Sequence, residues 1–497
     1  MLLIFFLVSF DYNVLRTLKD SIVITAKSSG AEVIPFIKVW VMLPGSILMA
    51  YLFTFFSNRF TREGVFYVMI SIFLAYFAFF IFVAYPLREQ LHLHHLADTL
   101  ELIFPAGLRG LIAMIRYWSF TTFYVMSELW SNIILSLLFW GFANHVTRVH
   151  EAKRFYGLFG IGANFSGIVA GQVSVSCCQI KYTSWIPYGT TGWEQSMFLL
   201  VNLVILAGIM TLLIFRWFNR YVLTQERYAP EFQKSQKEDR PKSRMSMMEN
   251  FSFLIKSPYL LSVAIIVLSY NMIINLVEVL WKHEVHTLYP NPADYTLYMN
   301  NVMIAIGIVA TLASLFITGN AVRKCGWTFT AFLTPFILFV TSIGFFGFFF
   351  MKSFPTPITI LGMTPLAITV FFGTIQNCLS RGAKYTVFDA TREMALVPLD
   401  PEIKIKGKAA IDGVCSRLGK SGGSVVHQVL LVLFGSLTAS APFVAGFLLT
   451  VIGIWMSSVL TLGKQFSVLT NESDQEPPKL QPQAVANRME SIASTTG

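Results

Sequence analysis

Long apolar runs are the feature of this sequence that most limits how it can fold. Three of the clearest are Val65–Pro86, Met197–Phe215 and Thr328–Met351. Each is about the length that an α-helix needs to cross roughly 30 Å of hydrocarbon at about 1.5 Å per residue. Inside lipid a segment must satisfy its own backbone hydrogen bonds, and runs of this length suit helices rather than barrel strands. We therefore predict an all-α polytopic membrane protein.

The composition agrees with this prediction. Hydrophobic residues make up 55% of the 497 positions and charged residues only 13%. A soluble protein of this size has too little interior to bury so much apolar surface. The chain begins on apolar residues without a basic segment or a small-residue cleavage site, so we expect no cleaved signal or transit peptide. The five cysteines show no metal-type spacing and are interpreted as apolar filler.

The apolar runs predict about twelve transmembrane helices in two groups of six. The predicted helices lie near residues 2–26, 34–56, 65–86, 109–146, 154–176, 195–218, 257–282, 296–318, 327–351, 362–391, 408–434 and 439–462. A long polar interval separates the groups. The predicted organisation is an N-terminal half at 1–218, a cytoplasmic linker at 219–256, a C-terminal half at 257–464 and a disordered tail at 465–497.

A short internal repeat supports the division into two halves. Asp11-Tyr-Asn-Val14 in the first predicted helix matches Ser269-Tyr-Asn-Met272 in the seventh. At that offset Asp20 falls opposite Glu278, so corresponding helices carry an acid at the same depth. Two parallel six-helix halves are the pattern of major-facilitator carriers, whose site lies between the halves near the middle of the membrane. We expect a major-facilitator-like fold.

Basic residues are concentrated in alternate loops and in the central linker. Such residues favour the cytoplasmic side of a membrane, so we expect both termini and the linker to be cytoplasmic. The net charge of +10 follows largely from this bias and from charges inside the predicted helices. It therefore does not indicate binding to nucleic acid.

Ionisable side chains inside the apolar runs are the strongest functional signal. In the first helix Asn13, Arg16, Lys19 and Asp20 recur at steps of three and four residues, so they share one face. Each buried charge costs about 2.5–3.5 kcal/mol on insertion scales, so we expect these groups to pair or to face a water-filled pathway. Further members of the set are Arg116, Glu128, Glu278, Lys282, Asn377, Arg381, Lys384, Asp412, Arg417, Lys420 and His427.

Two explanations compete for these buried charges. For Arg16, Lys282 and Asp412, salt bridges that only hold the helices together are as good an explanation as a transport pathway. A transport pathway is favoured for four others: Lys19, Glu128, Glu278 and Lys420. Cations predominate in the tenth and eleventh helices, which calls for an anionic ligand, and the most abundant ligand polyanion is a nucleotide phosphate chain.

Two short motifs suggest other chemistry and are set aside. Leu418-Gly-Lys-Ser-Gly-Gly-Ser424 contains Gly-Lys-Ser, but Val414 stands where a phosphate-binding loop requires glycine and no strand precedes it. Its glycines instead suit close helix packing, or a local unwinding that brings Lys420 to a phosphate. His92, His94 and His95 are predicted to be solvated loop residues. We therefore expect no metal site and no cofactor.

An enzyme and a channel are the alternatives from other functional classes. A membrane-embedded enzyme acting on nucleotides or lipid would call for a metal cluster or a nucleophile–base pair, and the sequence suggests neither. A channel would favour a uniform ring of charges, whereas these charges are scattered over five predicted helices and suit a closing site better. We predict a transporter and not an enzyme.

Several segments resemble the ATP/ADP translocases of obligate intracellular bacteria and plastids. The first-span signature is similar to Asn13-Val-Leu-Arg-Thr-Leu-Lys-Asp20. Other similar segments follow in order along nearly the whole chain: Gly30–Lys38, Ser127–Trp130, Phe139–Asn144, Asn275–Glu278, Lys384–Asp389, Lys406–Asp412 and Leu418–Gly423. The resemblance implies twelve spans and exchange of host ATP for internal ADP. It also places the residues needed for transport on Lys19, Glu128, Glu278 and Lys420.

The resemblance favours a bacterial inner membrane over a plastid envelope, and we expect a monomer. One departure leaves the coupling open. Thr17 and Leu18 stand where exchangers of this family usually carry Asp-Thr. Paralogues import several nucleoside triphosphates with protons instead, so proton-coupled net import remains the alternative.

The expected mechanism is alternating access around a central site. In this hypothesis Lys19 and Lys420, with Arg381 and Lys384, hold the phosphate oxygens. Glu128 and Glu278 pair with those cations when the site is empty. An empty site with unmatched cations is costly to carry across the membrane, which gives a physical reason for exchange.

Overall fold

The computed structural model describes residues 1–146, 149–222, 257–316, 318–352, 362–399, 401–411 and 415–475, which fold almost entirely into helices. Twelve long helices dominate this part of the chain. They are α1 (Leu2–Ile24), α2 (Val33–Arg59), α3 (Arg62–Ala84), α4 (Trp118–Asn144), α5 (Val149–Cys178), α6 (Gly192–Val222), α7 (Pro258–Leu288), α8 (Pro292–Phe316), α9 (Thr318–Met351), α10 (Pro365–Ala383, continued by Lys384–Phe388 and Asp389–Ala395), α11 (Ser416–Phe434) and α12 (Leu437–Gln475).

Eight of these helices are long and apolar enough to cross a membrane by length and composition alone: α2, α3, α4, α6, α7, α8, α9 and α12. The remaining four have 19 residues or more but are more polar: α1, α5, α10 and α11. α1 alone carries Asp11, Arg16, Lys19 and Asp20. Three of the five helices on which the sequence places buried charges, α1, α10 and α11, are therefore among the more polar ones, whereas α4 and α7 meet the apolar criterion.

Local capping signals fix where several helices begin. Thr191 accepts a hydrogen bond from the backbone of Glu194, whose side chain returns the contact, and this capping box starts α6. Thr364 caps the first turn of α10 in the same way and is followed by Pro365, a residue suited to the first helical position. These polar ends position the apolar segments that follow.

The predicted helices agree with the structure in position but differ at several breaks. The segment predicted as one helix at 109–146 is divided at Tyr117 into Arg109–Arg116 and Trp118–Asn144. The predicted helix at 327–351 agrees with the part of α9 that follows a break at Gly326, whose φ of 78° is a conformation that favours glycine; the part before this break was not predicted. A separate short helix, Pro401–Ala410, overlaps the start predicted for the eleventh helix.

Parts of the predicted linker and tail lie outside the described residues. This applies to residues 223–256 and 476–497. The first part of the predicted disordered tail is instead helical, because α12 continues past residue 465 to Gln475. The apolar pattern therefore ends before the helix does.

Each group of six helices packs around one central helix. α1 contacts α4, α5 and α6 in the N-terminal bundle (α1–α6), and α7 contacts α10, α11 and α12 in the C-terminal bundle (α7–α12). The bundles meet where α5 lies against α8 and where the start of α2 lies against α11. α1 and α7 therefore bring their polar faces to the junction of the two bundles.

Small residues let α5 and α8 approach closely. A Cβ atom added at Gly171 would lie 2.5 Å from Ile304 Cγ1, and one added at Gly307 would lie 2.8 Å from Ile168 Cγ1. Glycine at these positions permits helix packing at a distance that a larger residue prevents. The contact between the bundles therefore depends on backbone proximity as well as on polar bonds.

Candidate functional site

Lys19 on α1 is the cation of a buried ion-pair cluster within the N-terminal bundle. Its Nζ lies 3.0 Å from Asp20 Oδ1 and 3.3 Å from Glu128 Oε2 on α4. The same ammonium lies 3.8 Å from the centre of the Tyr124 ring, a cation–π contact. Lys19 is only 3% exposed, so two carboxylates and a ring replace the water that it would bind at a surface.

The cluster continues into the C-terminal bundle through Asp20. Lys282 Nζ on α7 lies 2.8 Å from Asp20 Oδ2 and 2.9 Å from Glu278 Oε1. Arg381 Nη2 on α10 lies 3.3 Å from the same Glu278 oxygen. Because Asp20 uses one oxygen for Lys19 and the other for Lys282, it ties the two bundles together.

Six side chains of alternating charge thus form a chain across the junction, which we call the charge network: Glu128, Lys19, Asp20, Lys282, Glu278 and Arg381. Its three acids and three bases balance in formal charge. Removing one partner of a buried pair leaves an uncompensated charge, a loss of about 3–5 kcal/mol. The network is stable as a set and is easily disturbed by any group that competes for one member.

A small cavity adjoins the charge network. Its charged wall contains Arg16, Asp20, Glu278 and Arg381, and the other lining residues are Thr17, Trp281, Met299, Val302, Met303, Ile306 and Asn377. The cavity volume of about 20 Å³ is enough for roughly one water molecule. This cavity by itself is far too small for a nucleotide.

A second polar cluster joins α2, α7 and α11 beside the network. Lys38 Nζ donates to Asn275 Oδ1 at 2.5 Å. Asn275 Nδ2 in turn donates to the backbone oxygen of Lys420 at 2.6 Å and to Ser424 Oγ at 2.8 Å. Lys38 is not among the predicted site residues, although a lysine inside the apolar segment predicted at 34–56 is a signal of the same kind as Lys19.

The predicted site residues divide between the network and its surroundings. Lys19, Asp20, Glu128, Glu278 and Arg381 come together in the charge network. Arg16 lines the adjoining cavity. These are the residues that the structure brings to one place.

Three other predicted site residues have described contacts outside the charge network or an exposed side chain. Asn13 Nδ2 donates to Ser9 O at 2.9 Å and to Ser166 Oγ on α5 at 3.3 Å. Lys384 Nζ lies 6.0 Å from the Tyr270 ring centre in a π-helical turn of α10. The Lys420 side chain is exposed, one turn before Ser424 on α11.

Other buried charges from the sequence have local roles. Arg116 Nη1 lies 2.8 Å from Asp98 and its Nη2 lies 2.9 Å from Glu101, so it anchors the short helix that precedes α4. His427 Nε2 lies 3.0 Å from the Leu276 backbone oxygen and ties α11 to α7. Asp412 lies outside the described residues. For Arg116 and His427 the structure shows helix-to-helix contacts.

Glycines of the Gly-Lys-Ser segment pack against α7, as one of the two predicted roles requires. A Cβ atom at Gly419 would lie 2.7 Å from the Leu268 backbone oxygen, and one at Gly423 would lie 3.1 Å from Asn275 Nδ2. The segment lies within α11 rather than in a loop after a strand.

The prediction that His92 is a solvated loop residue is wrong. His92 is only 7% exposed, and its Nε2 lies 2.7 Å from Ser119 Oγ while its ring packs against Tyr117 and Phe120. Aromatic neighbours at the start of α4 supply an apolar environment that the loop sequence did not reveal. Among the described residues no group of three or more His, Cys, Asp or Glu side chains is arranged to hold a metal ion.

Comparison with known proteins identifies the family. The TLC ATP/ADP transporter family matches residues 1–466. The chain belongs to this family. ADP,ATP carrier protein 1 of Chlamydia trachomatis is 43% identical over 477 residues, which are 96% of this chain and 90% of the relative. The chloroplastic ADP,ATP carrier protein 1 of Arabidopsis thaliana is 41% identical over 479 residues, or 95% of this chain and 74% of the relative. The family resemblance inferred from the sequence is therefore confirmed.

Solved structures with low sequence identity share the fold of this family member. The inward-open xylose transporter XylE from E. coli has a TM-score of 0.53 at 13% identity and covers 93% of each chain. An inward-facing bacterial homologue of the iron transporter ferroportin has a TM-score of 0.52 at 13% identity, over 94% of this chain and 96% of that one. The all-α, major-facilitator-like fold is confirmed.

Proposed function

We propose that this protein exchanges ATP for ADP across a bacterial inner membrane by alternating access between its two bundles. The observation that carries the proposal is the charge network at the junction of the bundles, in a chain of the TLC ATP/ADP transporter family. Curated relatives named ADP,ATP carriers support ATP and ADP as the substrates. The protein acts as a multi-pass carrier in the bilayer, with both termini cytoplasmic, as a monomer and without an enzymatic step.

Phosphate oxygens of the nucleotide replace carboxylate oxygens in the charge network. Lys19, Lys282 and Arg381 are each held by an acid in the structure. A nucleotide brings several strong acceptors of the same kind, and charge-assisted bonds to phosphate are as favourable as those to carboxylate. As the cations turn to the phosphates, the carboxylates of Glu128, Asp20 and Glu278 exchange these partners for water in the cavity, which opens as they move apart.

This replacement gives a physical reason for obligatory exchange. The Asp20–Lys282 ion pair joins the two bundles only when neither residue is engaged by a nucleotide. In the empty carrier it holds the bundles in one arrangement, because opening it would leave two buried charges without partners. A bound nucleotide opens the pair and supplies replacement contacts. The two bundles therefore change their relative orientation only when nucleotide is bound.

Lys420, Lys384, Arg16 and Asn13 complete the proposed substrate path. The exposed side chain of Lys420 and the position of Arg16 at the cavity support contact with the nucleotide on its way to the network. Lys384 lies beside an aromatic ring of α7, and Asn13 on α1 faces α5. These residues position or guide the nucleotide rather than close the site.

Uptake of labelled ATP by proteoliposomes tests the proposal. Vesicles loaded with ADP are expected to take up ATP at least tenfold faster than vesicles without internal nucleotide. A protonophore is expected to leave the exchange unchanged. Uptake that ignores internal ADP and collapses with the protonophore would instead establish proton-coupled import and overturn the exchange proposal.

A further inference from the structure

Lys38 on α2 differs from the cations of the charge network in the kind of partner it has. Each network cation has a carboxylate oxygen within 3.3 Å. Lys38 instead donates to the neutral amide oxygen of Asn275. Within the described part of the chain, no carboxylate oxygen lies within salt-bridge distance of Lys38 Nζ. A half-buried ammonium with a neutral partner has no carboxylate beside it to compensate its charge, and an incoming anion would supply that compensation.

The orientation of the Asn275 amide follows from its other contacts. The Lys420 backbone oxygen can only accept a hydrogen bond, so the group that faces it at 2.6 Å must be the Asn275 NH₂. The oxygen of the amide therefore faces Lys38. This arrangement holds the ammonium in place without neutralising it, and two of its three N–H groups are left for other acceptors.

The backbone at Lys38 has an irregular turn. Residues Ile37–Val41 form a π-helical turn within α2, and such turns often occur at functional positions because they redirect side chains. Lys38 also acts electrostatically on Glu128 and on Glu278, the acids that belong to the two different bundles. Lys38 is thus close enough to the junction to share an anion with the network cations.

Charge balance around the junction also favours an anion at Lys38. The charge network is balanced by itself, with three acids and three bases. Lys38 adds a positive charge on the α2 side. An anion that bridges Lys38 and a network cation would neutralise this charge and would draw α2 and α7 around the same ligand.

We propose that Lys38 is a phosphate-binding residue of this carrier, exchanging the Asn275 amide oxygen for an oxygen of the nucleotide phosphate chain. This inference rests on the proposed function, since it names a further group that holds the same substrate. The amide of Asn275 positions the ammonium in the empty protein. When nucleotide enters from the junction, the Lys38 ammonium leaves the Asn275 amide and binds the phosphate.

Binding of inorganic tripolyphosphate and of ATP by the purified protein tests this role directly. Lys38→Gln is expected to weaken both ligands by about tenfold, because a charge-assisted hydrogen bond is lost. Lys38→Arg restores most of the binding. Lys181→Gln, in an exposed loop, is the matched control and leaves it unchanged. Binding by Lys38→Gln equal to that of the unaltered protein would overturn the proposal.

Asn275→Ala separates phosphate binding from a role in holding helices together. It removes the amide partner but keeps the charge of Lys38, so tripolyphosphate binding is expected to stay within about threefold. Tripolyphosphate binding could instead fall equally in Asn275→Ala and Lys38→Gln, together with an equal drop in unfolding temperature. This result would show that the bond between α2 and α7 supports binding only by holding the helices together, and it would overturn the proposal. Failure of the unaltered protein to exchange ATP for ADP, with tripolyphosphate binding still dependent on Lys38, would reject only the proposed substrate.

Discussion

Asp20 Oδ2 lies 2.8 Å from Lys282 Nζ, and this buried ion pair joins α1 of the N-terminal bundle to α7 of the C-terminal bundle. Each of the two side chains is 3% exposed. Asp20 also holds Lys19, and Lys282 also holds Glu278, so the pair is the central link of the charge network. A substitution at this pair is therefore expected to change both the stability of the protein and the movement of one bundle against the other.

Asp20→Asn and Lys282→Gln are each expected to lower stability by about 3–5 kcal/mol, because each leaves buried charges without a partner. The loss of unfolding free energy in the double variant is expected to be smaller than the sum of the losses in the two single variants, by about 0.5–3 kcal/mol. Thermal unfolding in detergent measures the effect. Strictly additive losses would show that the two groups do not interact in the folded protein.

Uptake by the double variant tests the link between this pair and obligatory exchange. Without the Asp20–Lys282 pair the empty carrier is no longer held in one arrangement. ATP uptake into vesicles lacking ADP should therefore rise toward the rate with internal ADP. If ATP uptake by the double variant depends on internal ADP as strongly as uptake by the unaltered protein does, the pair does not enforce exchange.

Glu278→Gln is expected to reduce ATP/ADP exchange at least tenfold, because it removes the shared partner of Lys282 and Arg381. Glu284→Gln is the matched control. Glu284 lies on the same helix and pairs with Lys352 away from the charge network. Exchange rates at saturating ATP measure both, at equal amounts of folded protein. A loss in Glu284→Gln as large as that in Glu278→Gln would count against a specific role for the network.

Gly171→Ala is expected to slow exchange and to lower stability by about 1–3 kcal/mol, because the added Cβ would lie 2.5 Å from Ile304 Cγ1 on α8. Gly160→Ala on the same helix is the control, since a Cβ there has no neighbour within 4 Å among the described residues. That variant should gain up to about 1 kcal/mol from helix propensity. Equal behaviour of the two variants would mean that α5 and α8 do not need their close approach.

His92 gives the protein a pH-dependent stability outside the membrane-spanning helices. Burial, aided by the charges of His94 and Arg88, lowers the pKa of His92 from 6.5 to about 4. Between these values the unfolded chain binds the proton and the folded protein does not, so stability falls as the pH decreases from about 6.5 to about 4. His92→Phe should flatten this part of the curve of unfolding temperature against pH. His95→Gln, at an exposed position, should follow the unaltered protein.

Much of the fold was predictable because lipid imposes a simple rule on sequence. Apolar runs located the helices, and Lys19, Glu128 and Glu278 within them are among the residues that the structure joins in the charge network. The pairing of those charges was not predictable. It depends on which faces of α1, α4, α7 and α10 meet, and the spacing along one helix carries no such information.

Lys282 and Lys38 show where sequence reasoning reached its limit. Lys282 was equally well explained as a lock or as part of a pathway, and its contacts with Asp20 and Glu278 place it at the centre of the network. Lys38 was one lysine in an apolar segment, and its significance depends on Asn275, 237 residues away in the chain. Long-range contacts of this kind form only after the bundles dock.

The small volume beside the charge network bears on what the resting protein does to the membrane around it. A cavity of about 20 Å³ holds roughly one water molecule, so this part of the empty junction offers no continuous water column. The neighbouring charges are already matched, and a passing proton or small ion would find no favourable stop among them. Passage of an ion through this part of the junction would therefore first require the charge network to open.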